Sequence, residues 1–554
     1  MQTRLLTSAF LIGSLAVAGC GADGEELSGD DVRNEHDLGE TGSEQDGGRG
    51  GQGGEDGGAR GTPSDPGPSN DDGAGGPTED PGNAGEPAEP KEPEKPAPLA
   101  TAIRIDKLVL YQSVAIPLMT DGQAVQHRKV PVVAGKDAML RVHVAPMQGF
   151  SPRELAVEVD FEGASAPAPL RLVKNVRAAS SDGDLGSTFN FEIPGEHVTP
   201  DLSLRVAIRE TKGDGPDGSS DAIWPSSGHF QIGTESSNGD LRIVIVPVRY
   251  DGDRSGRLPD TSPAQIERFR KRFQATFPIP DAKIEVRQPI AFSESFSRNG
   301  NGWSRLLNQT CAARQQDRPP RNAYYYGLIM PASSFSAYCG GSCVTGLGNV
   351  VQQPSDEYGR CAIGLGFGDD RSLNTALHEI GHAMGRNHAP CGGPSGVDRG
   401  YPYSNASIGV YGYDFFAKQL REPSKYKDFL SYCDPQWVSD YTYNALFERI
   451  SYVNGTMSVH VEPTAVRTYR VALIDGEGHV EWGETLELST PPSGEQHELA
   501  TVDGEGKPSG TIKGHFYPYS HLPGGTMLVP TKSLTNVQAI EMPKDFGGRV
   551  LELD

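Results

Sequence analysis

The sequence predicts a multidomain α+β chain: an N-terminal β-sandwich, a central α+β domain and a C-terminal β-domain, preceded by a disordered linker. Three observations predict it. Apolar residues alternate with period two after residue 100 and again after 452. Between those stretches the period becomes helical around 263–277 and 373–384. Residues 21–100 hold 20 of the 69 glycines, 10 of the 43 prolines and no Phe, Trp or Tyr. Such a segment buries too little apolar surface to offset its ordering entropy. The 554-residue chain carries a net charge of −23, a balance that argues against nucleic-acid binding.

Residues 1–19 carry one basic residue, Arg4, followed by an apolar run from Leu5 to Val17. That is the pattern of a secretory signal, too short to anchor stably across a bilayer. Its ending, Val17-Ala18-Gly19-Cys20, resembles the bacterial lipobox, which implies cleavage before Cys20 and lipid attachment to it. Residues 20–99 then form an acidic leash, with 21 acidic and 5 basic residues between 21 and 100. The expectation is an exported protein, lipid-anchored to the bacterial cell envelope at the outer membrane or cell surface.

Residues 100–236 read as the β-sandwich, from Ile103–Tyr111, Leu140–Val144, Leu155–Val159 and Leu204–Ile208, with Gly, Pro and Asp turns between them. Residues 238–452 read as the α+β domain. It opens with a strand at Leu241–Val248 and a helix at Pro263–Phe277, whose Ile266, Phe269, Phe273 and Phe277 recur at helical spacing. Strands follow at Ala282–Val286 and Tyr324–Met330. Residues 453–554 return to alternation in Met457–Val461, Thr468–Leu473, His479–Trp482 and Thr526–Val529. No internal repeat is visible, and a monomer is expected.

The chemistry concentrates in His378-Glu379-x-x-His382-x-x-Gly385-x-x-His388. Leu373, Ala376, Leu377, Ile380, Ala383 and Met384 form an apolar helical face, with Asp370 or Ser372 as its cap. On a helix, His378 and His382 lie one turn apart, about 6 Å in rise and about 40° in rotation, so both imidazoles reach one ion. Gly385 permits the left-handed turn that ends the helix and returns the chain to deliver His388. Three imidazoles leave one position open, the arrangement of a catalytic zinc. Glu379, beside the ion, is placed as general base for a zinc-activated water.

This signature resembles that of the metzincin zinc peptidases. In that clan a methionine turn underlies the metal; here Asp428–Trp437 is the matching stretch, with Leu430 in the methionine's place. The substitution keeps an apolar side chain of similar volume, so activity is expected to persist. The resemblance places Tyr432 as a residue that approaches the zinc or the oxyanion, a second candidate catalytic residue beside Glu379. Within the clan the chain is most similar to StcE-like bacterial mucin-cleaving peptidases, secreted or lipid-anchored. That likeness implies a zinc endopeptidase acting on extracellular proteins or glycoproteins. It also implies that the Gly- and Tyr-rich stretch from Gly400 to Asp414 walls the substrate pocket, and that Tyr338–Val350 supplies the edge strand on which substrate pairs.

Besides Cys20, six cysteines lie between Cys311 and Cys433, an even number that in an exported chain points to disulfides. Cys391 with Cys433 is the one pairing expected, since both flank the site. No upstream cysteine motif marks a latency segment. The alternative to an enzyme is a surface adhesin or glycan-binding lipoprotein with a vestigial zinc site, against which the retention of Glu379 with all three histidines speaks.

Overall fold

The computed structural model describes residues 97–212, 218–455 and 466–553. The signal, Cys20, residues 20–96 of the acidic leash and the expected strand at Met457–Val461 lie outside the described residues; the leash's last residues belong to the fold, where Leu99 bridges Arg209. All described residues fall in one compact unit, Lys91–Asp554. β-Sheets dominate it, with five α-helices among the described residues: α1 (Pro263–Thr276), α2 (Trp303–Asp317), α3 (Phe335–Cys339), α4 (Asp370–Ala383) and α5 (Asp440–Gly455). Among the described residues no helix is long and apolar enough to cross a membrane.

The first β-region forms two antiparallel sheets. Ile103–Gln112 pairs with Val114–Thr120 on one side and Ala138–Pro146 on the other, and Phe189–Ile193 follows. In the second sheet, Arg153–Glu162 lies between Leu170–Val176 and Ser203–Glu210. Leu108, Ile116 and Val142 of the first sheet and Val157, Val206 and Ile208 of the second enter one buried cluster. Period-two alternation produces this directly, because every second side chain faces the shared interior.

The central region holds a six-stranded sheet whose path runs Ala282–Val286, Leu241–Tyr250, Ala323–Ile329, Cys361–Leu365 and Gly346–Gly348, with Ile290–Phe292 also on Leu241–Tyr250. Its strands are parallel except Gly346–Gly348, the antiparallel edge. Every residue of Ala323–Ile329 is buried, the near-continuous apolar run that a parallel strand covered on both faces requires.

Two couplings were not legible in the sequence. Gly412–Asp414 and Gln419–Arg421, from the central region, extend the first sheet beyond Val114–Thr120. The C-terminal seven-stranded antiparallel sheet packs onto the central region through Tyr469, Val471, Leu486 and Tyr517, which share a cluster with Ala312, Val351 and Tyr358. Buried Asp356 pins that contact: its Oδ2 accepts from the Tyr517 hydroxyl and from the Ser493 hydroxyl, each at 2.7 Å.

Candidate metal centre and active site

α4 carries the first two histidines. Its cap is Asp369, one residue before the pair expected: the Asp369 carboxylate accepts from Ser372 N at 3.0 Å, and Asp370 is the first helical residue. Leu373, Ala376, Leu377, Ile380 and Ala383 are buried, as the periodicity requires. Gly385 has φ +82°, and a side chain there would run into the Arg449 guanidinium and the Val351 carbonyl. The chain turns back at that point and brings His388 to the helix.

The three imidazoles meet. Each holds its Nδ1 against a backbone carbonyl: His378 to Phe429 O at 2.7 Å, His382 to Arg386 O at 2.7 Å and His388 to Ser395 O at 2.6 Å. A carbonyl only accepts, so each Nδ1 carries the proton and each Nε2 presents a lone pair. Those lone pairs face one another. His382 Nε2 and His388 Nε2 lie 3.1 Å apart, and buried His378 Nε2 has no hydrogen-bond partner. Two acceptors at that separation repel unless a cation lies between them, and ligands about 2.1 Å from a tetrahedral zinc stand about 3.4 Å apart. The donor set therefore fits a divalent metal, with the backbone carbonyls fixing tautomer and ring orientation. Burial lowers the proton affinity of all three: His378 to about 3, His388 to about 4 and His382 well below its ordinary value, so they are neutral at pH 7, as ligands must be.

A fourth imidazole joins them, one that sequence reasoning did not find. His521, from the tip of the hairpin between Pro508–Pro518 and Gly525–Pro530, places a ring nitrogen within 4.8 Å of those of His378, His382 and His388. Its Nε2 lies 2.7 Å from Glu379 Oε1, in a direction that makes no hydrogen bond. Burial lowers its pKa to about 3. No spacing rule could have flagged it, because a lone histidine in a Pro- and Gly-containing turn carries no local signal. The expected position open to water is therefore faced by a protein donor.

Glu379 is 1% exposed and stands beside the cluster. Burial pushes its pKa up to about 7, against the opposing influence of His378, His388 and the Ser520 hydroxyl, which donates to Oε2 at 3.2 Å. Tyr432 is at the site: its ring lies 5.1 Å from that of His388 and 6.1 Å from that of His378. Its hydroxyl is engaged with His521 Nδ1 at 2.6 Å. Leu430, 1% exposed, packs beneath α4, where a Cβ on Gly381 would come within 2.9 Å of it. The Cys391–Cys433 disulfide ties the return after His388 to this turn, and Cys311–Cys361 and Cys339–Cys343 also form.

Two cavities flank the cluster, of about 1050 Å³ on the side of Thr345, Glu379 and Tyr432 and about 490 Å³ on the side of Val350, His382 and His388. Neither is lined by any residue of Gly400–Asp414. The tyrosines there serve packing instead: the Tyr403 hydroxyl donates to Asp440, and Tyr413 is buried in the first sheet.

Two histidines and a buried glutamate on a helix beside a sheet edge, with a third histidine on the return of the chain, form a cluster that could hold a metal ion. A family model described as Peptidase M66 matches residues 346–442, from the edge strand through α4 and the turn at Leu430 to the start of α5. The match supports a peptidase, and M66 is a metallopeptidase family. No curated protein matches the chain.

Proposed function

We propose that the chain is a zinc-dependent endopeptidase of the metzincin type, acting at the bacterial cell envelope on extracellular proteins or glycoproteins. The observation that supports it most is the convergence of three Nε2 lone pairs, each fixed by a carbonyl on its own Nδ1. His378, His382 and His388 would hold the zinc, which when bound supplies Lewis acidity toward a water molecule and the scissile carbonyl. Glu379 takes the proton of the attacking water at its carboxylate and returns it to the leaving amine. Gly346–Gly348, the antiparallel edge of the central sheet, would pair with an extended substrate backbone once Ser520 leaves Gly348. Tyr432 lies close enough to the cluster for its hydroxyl, once released from His521, to donate to the oxyanion. A lipid on Cys20 and the acidic leash would hold the domains outside the membrane, with the chain acting as a monomer.

The test is hydrolysis of casein and mucin by the purified full-length protein, with and without a chelator, in the parent and in Glu379→Gln. The expected result is a loss of roughly 10²- to 10⁴-fold in the variant with zinc content unchanged. Cleavage by Glu379→Gln at the parent rate would overturn the mechanism. Retention of activity in the chelated protein would overturn the metal dependence.

A further inference from the structure

The hairpin tip that delivers His521 does more than approach the metal centre; it lies along the edge on which a substrate would pair. Ser520 N donates to Gly348 O at 2.9 Å, Gly348 N donates to the Ser520 hydroxyl at 2.9 Å, and Tyr519 forms an antiparallel bridge with Asn349. Both backbone groups of Gly348 are thus taken by the tip. The same Ser520 hydroxyl donates to Glu379, the proposed base. The His521 ring sits among the three ligands, with centroids 4.9 Å from His378, 5.2 Å from His382 and 4.9 Å from His388. Tyr432 clamps it from behind: the rings stack at 5.6 Å, and the tyrosine hydroxyl meets Nδ1.

The cavities show the consequence. His521 lines the larger one and Ser520 and Leu522 line the smaller, so the tip is the partition between them. A peptide lying along Gly346–Val350 and crossing the metal needs both spaces joined. The tip also starts from a fixed base, since Tyr517, two residues before Tyr519, is held by Asp356.

We propose that the hairpin tip Tyr519–Gly524 is a built-in plug, in which His521 is the fourth nitrogen donor to the metal and Ser520 occupies the substrate edge. The described state is then latent, and hydrolysis requires the tip to withdraw. This rests on the peptidase reading above and adds a control to that site. Withdrawal lifts Leu522, and with it Tyr519, from the buried cluster they share with Phe296 and Trp303, and it removes none of the backbone carbonyls that hold the three histidines. A minor open state of about 0.1–10% is the usual range for such an equilibrium.

The experiment has two arms on the full-length protein. In the first, the zinc is replaced by cobalt(II) and azide is titrated while the visible d–d spectrum is followed. A closed four-nitrogen site gives no change in the parent, whereas His521→Ala gives a saturable change. In the second, casein hydrolysis by zinc-loaded His521→Ala is expected to exceed the parent about 10- to 1000-fold, the factor by which a scarce open state limits the rate. Ser520→Ala, which keeps the imidazole and removes only the hydroxyl, moves both readouts in the same direction by less. Azide binding equally to parent and His521→Ala, or lower hydrolysis in His521→Ala at equal zinc content, would overturn the plug. The two readings fail separately. A cobalt site opened by His521→Ala with no hydrolysis by any variant retains the plug and removes the peptidase. Equal hydrolysis and equal azide binding retain the peptidase and remove the plug.

Discussion

At the scale of single residues, the four positions of the expected centre were legible because metal chemistry imposes spacing on a helix: a nitrogen one turn from another, a carboxylate beside it, a glycine where the chain must reverse. His521 was not, because its place among them is set by the pairing of a distant hairpin. Gly346 was also hidden; its role is steric. A Cβ on it would lie 2.3 Å from Glu379 Oε1 and 2.7 Å from the carboxyl carbon, whereas a Cβ on neighbouring Gly348 would meet nothing closer than 3.5 Å. Gly346→Ala must therefore displace the carboxylate, and Gly348→Ala need not. A displacement near 1 Å in a reacting group can cost about 10²-fold. Gly346→Ala is expected to lose activity on that order with zinc content and thermal stability little changed, and Gly348→Ala far less. Equal kcat/KM for the two variants would show that the contact with Glu379 does not matter.

At the scale of elements, α4 was readable in type, and its cap fell at Asp369 where Asp370 or Ser372 was expected, because neighbouring polar side chains offer similar acceptors and only backbone geometry chooses among them. Helix α5 begins at Asp440, with Trp437 in a short strand paired with Lys427–Asp428. The turn beneath the histidine cluster was readable from its position, and the structure explains why leucine serves there. Leu430 and Phe429 fill the groove that Gly381 leaves open on α4, and Leu430 O accepts from Ala389 N, just after His388. The requirement is apolar volume under the helix. Leu430→Met should then keep activity and change stability by less than about 1.5 kcal/mol. Leu430→Ala should lose about 2–5 kcal/mol by opening a cavity. Urea unfolding of both variants checks this. A Leu430→Ala cost within error of the methionine variant would mean the groove collapses around the gap.

At the scale of the whole molecule, local alternation in the sequence revealed strands such as Ile103–Gln112 and Arg467–Ile474, passed over others such as Val114–Thr120, Glu495–Val502 and Pro508–Pro518, and missed what joins the regions, since joining depends on residues far apart in the chain. Trp437 is the clearest case. It is 2% exposed, its indole N–H donates to Ser113 O at 2.9 Å, and Tyr413 N donates to the same carbonyl. Its own carbonyl accepts from Phe429 N, next to Leu430. One side chain therefore ties the turn under the histidine cluster to the strand that begins at Val114 and to the added strand at Gly412, where a Cβ would strike the indole at 2.4 Å. Trp437→Ala is expected to cost about 3–5 kcal/mol, as for other buried aromatic truncations. The loss should also be shared between regions. In hydrogen exchange, protection should fall together in Val114–Thr120, Gly412–Asp414 and the Asp428–Trp437 turn, because opening any one of them exposes the other two. Trp482 supplies the control: its indole donates to Glu552 O within the C-terminal sheet, so Trp482→Ala should leave protection of Val114–Thr120 unchanged. If Trp437→Ala loosened only its own turn, the first sheet would be an independent module, and the hairpin at Gly412–Arg421 would be a contact without mechanical consequence for the site.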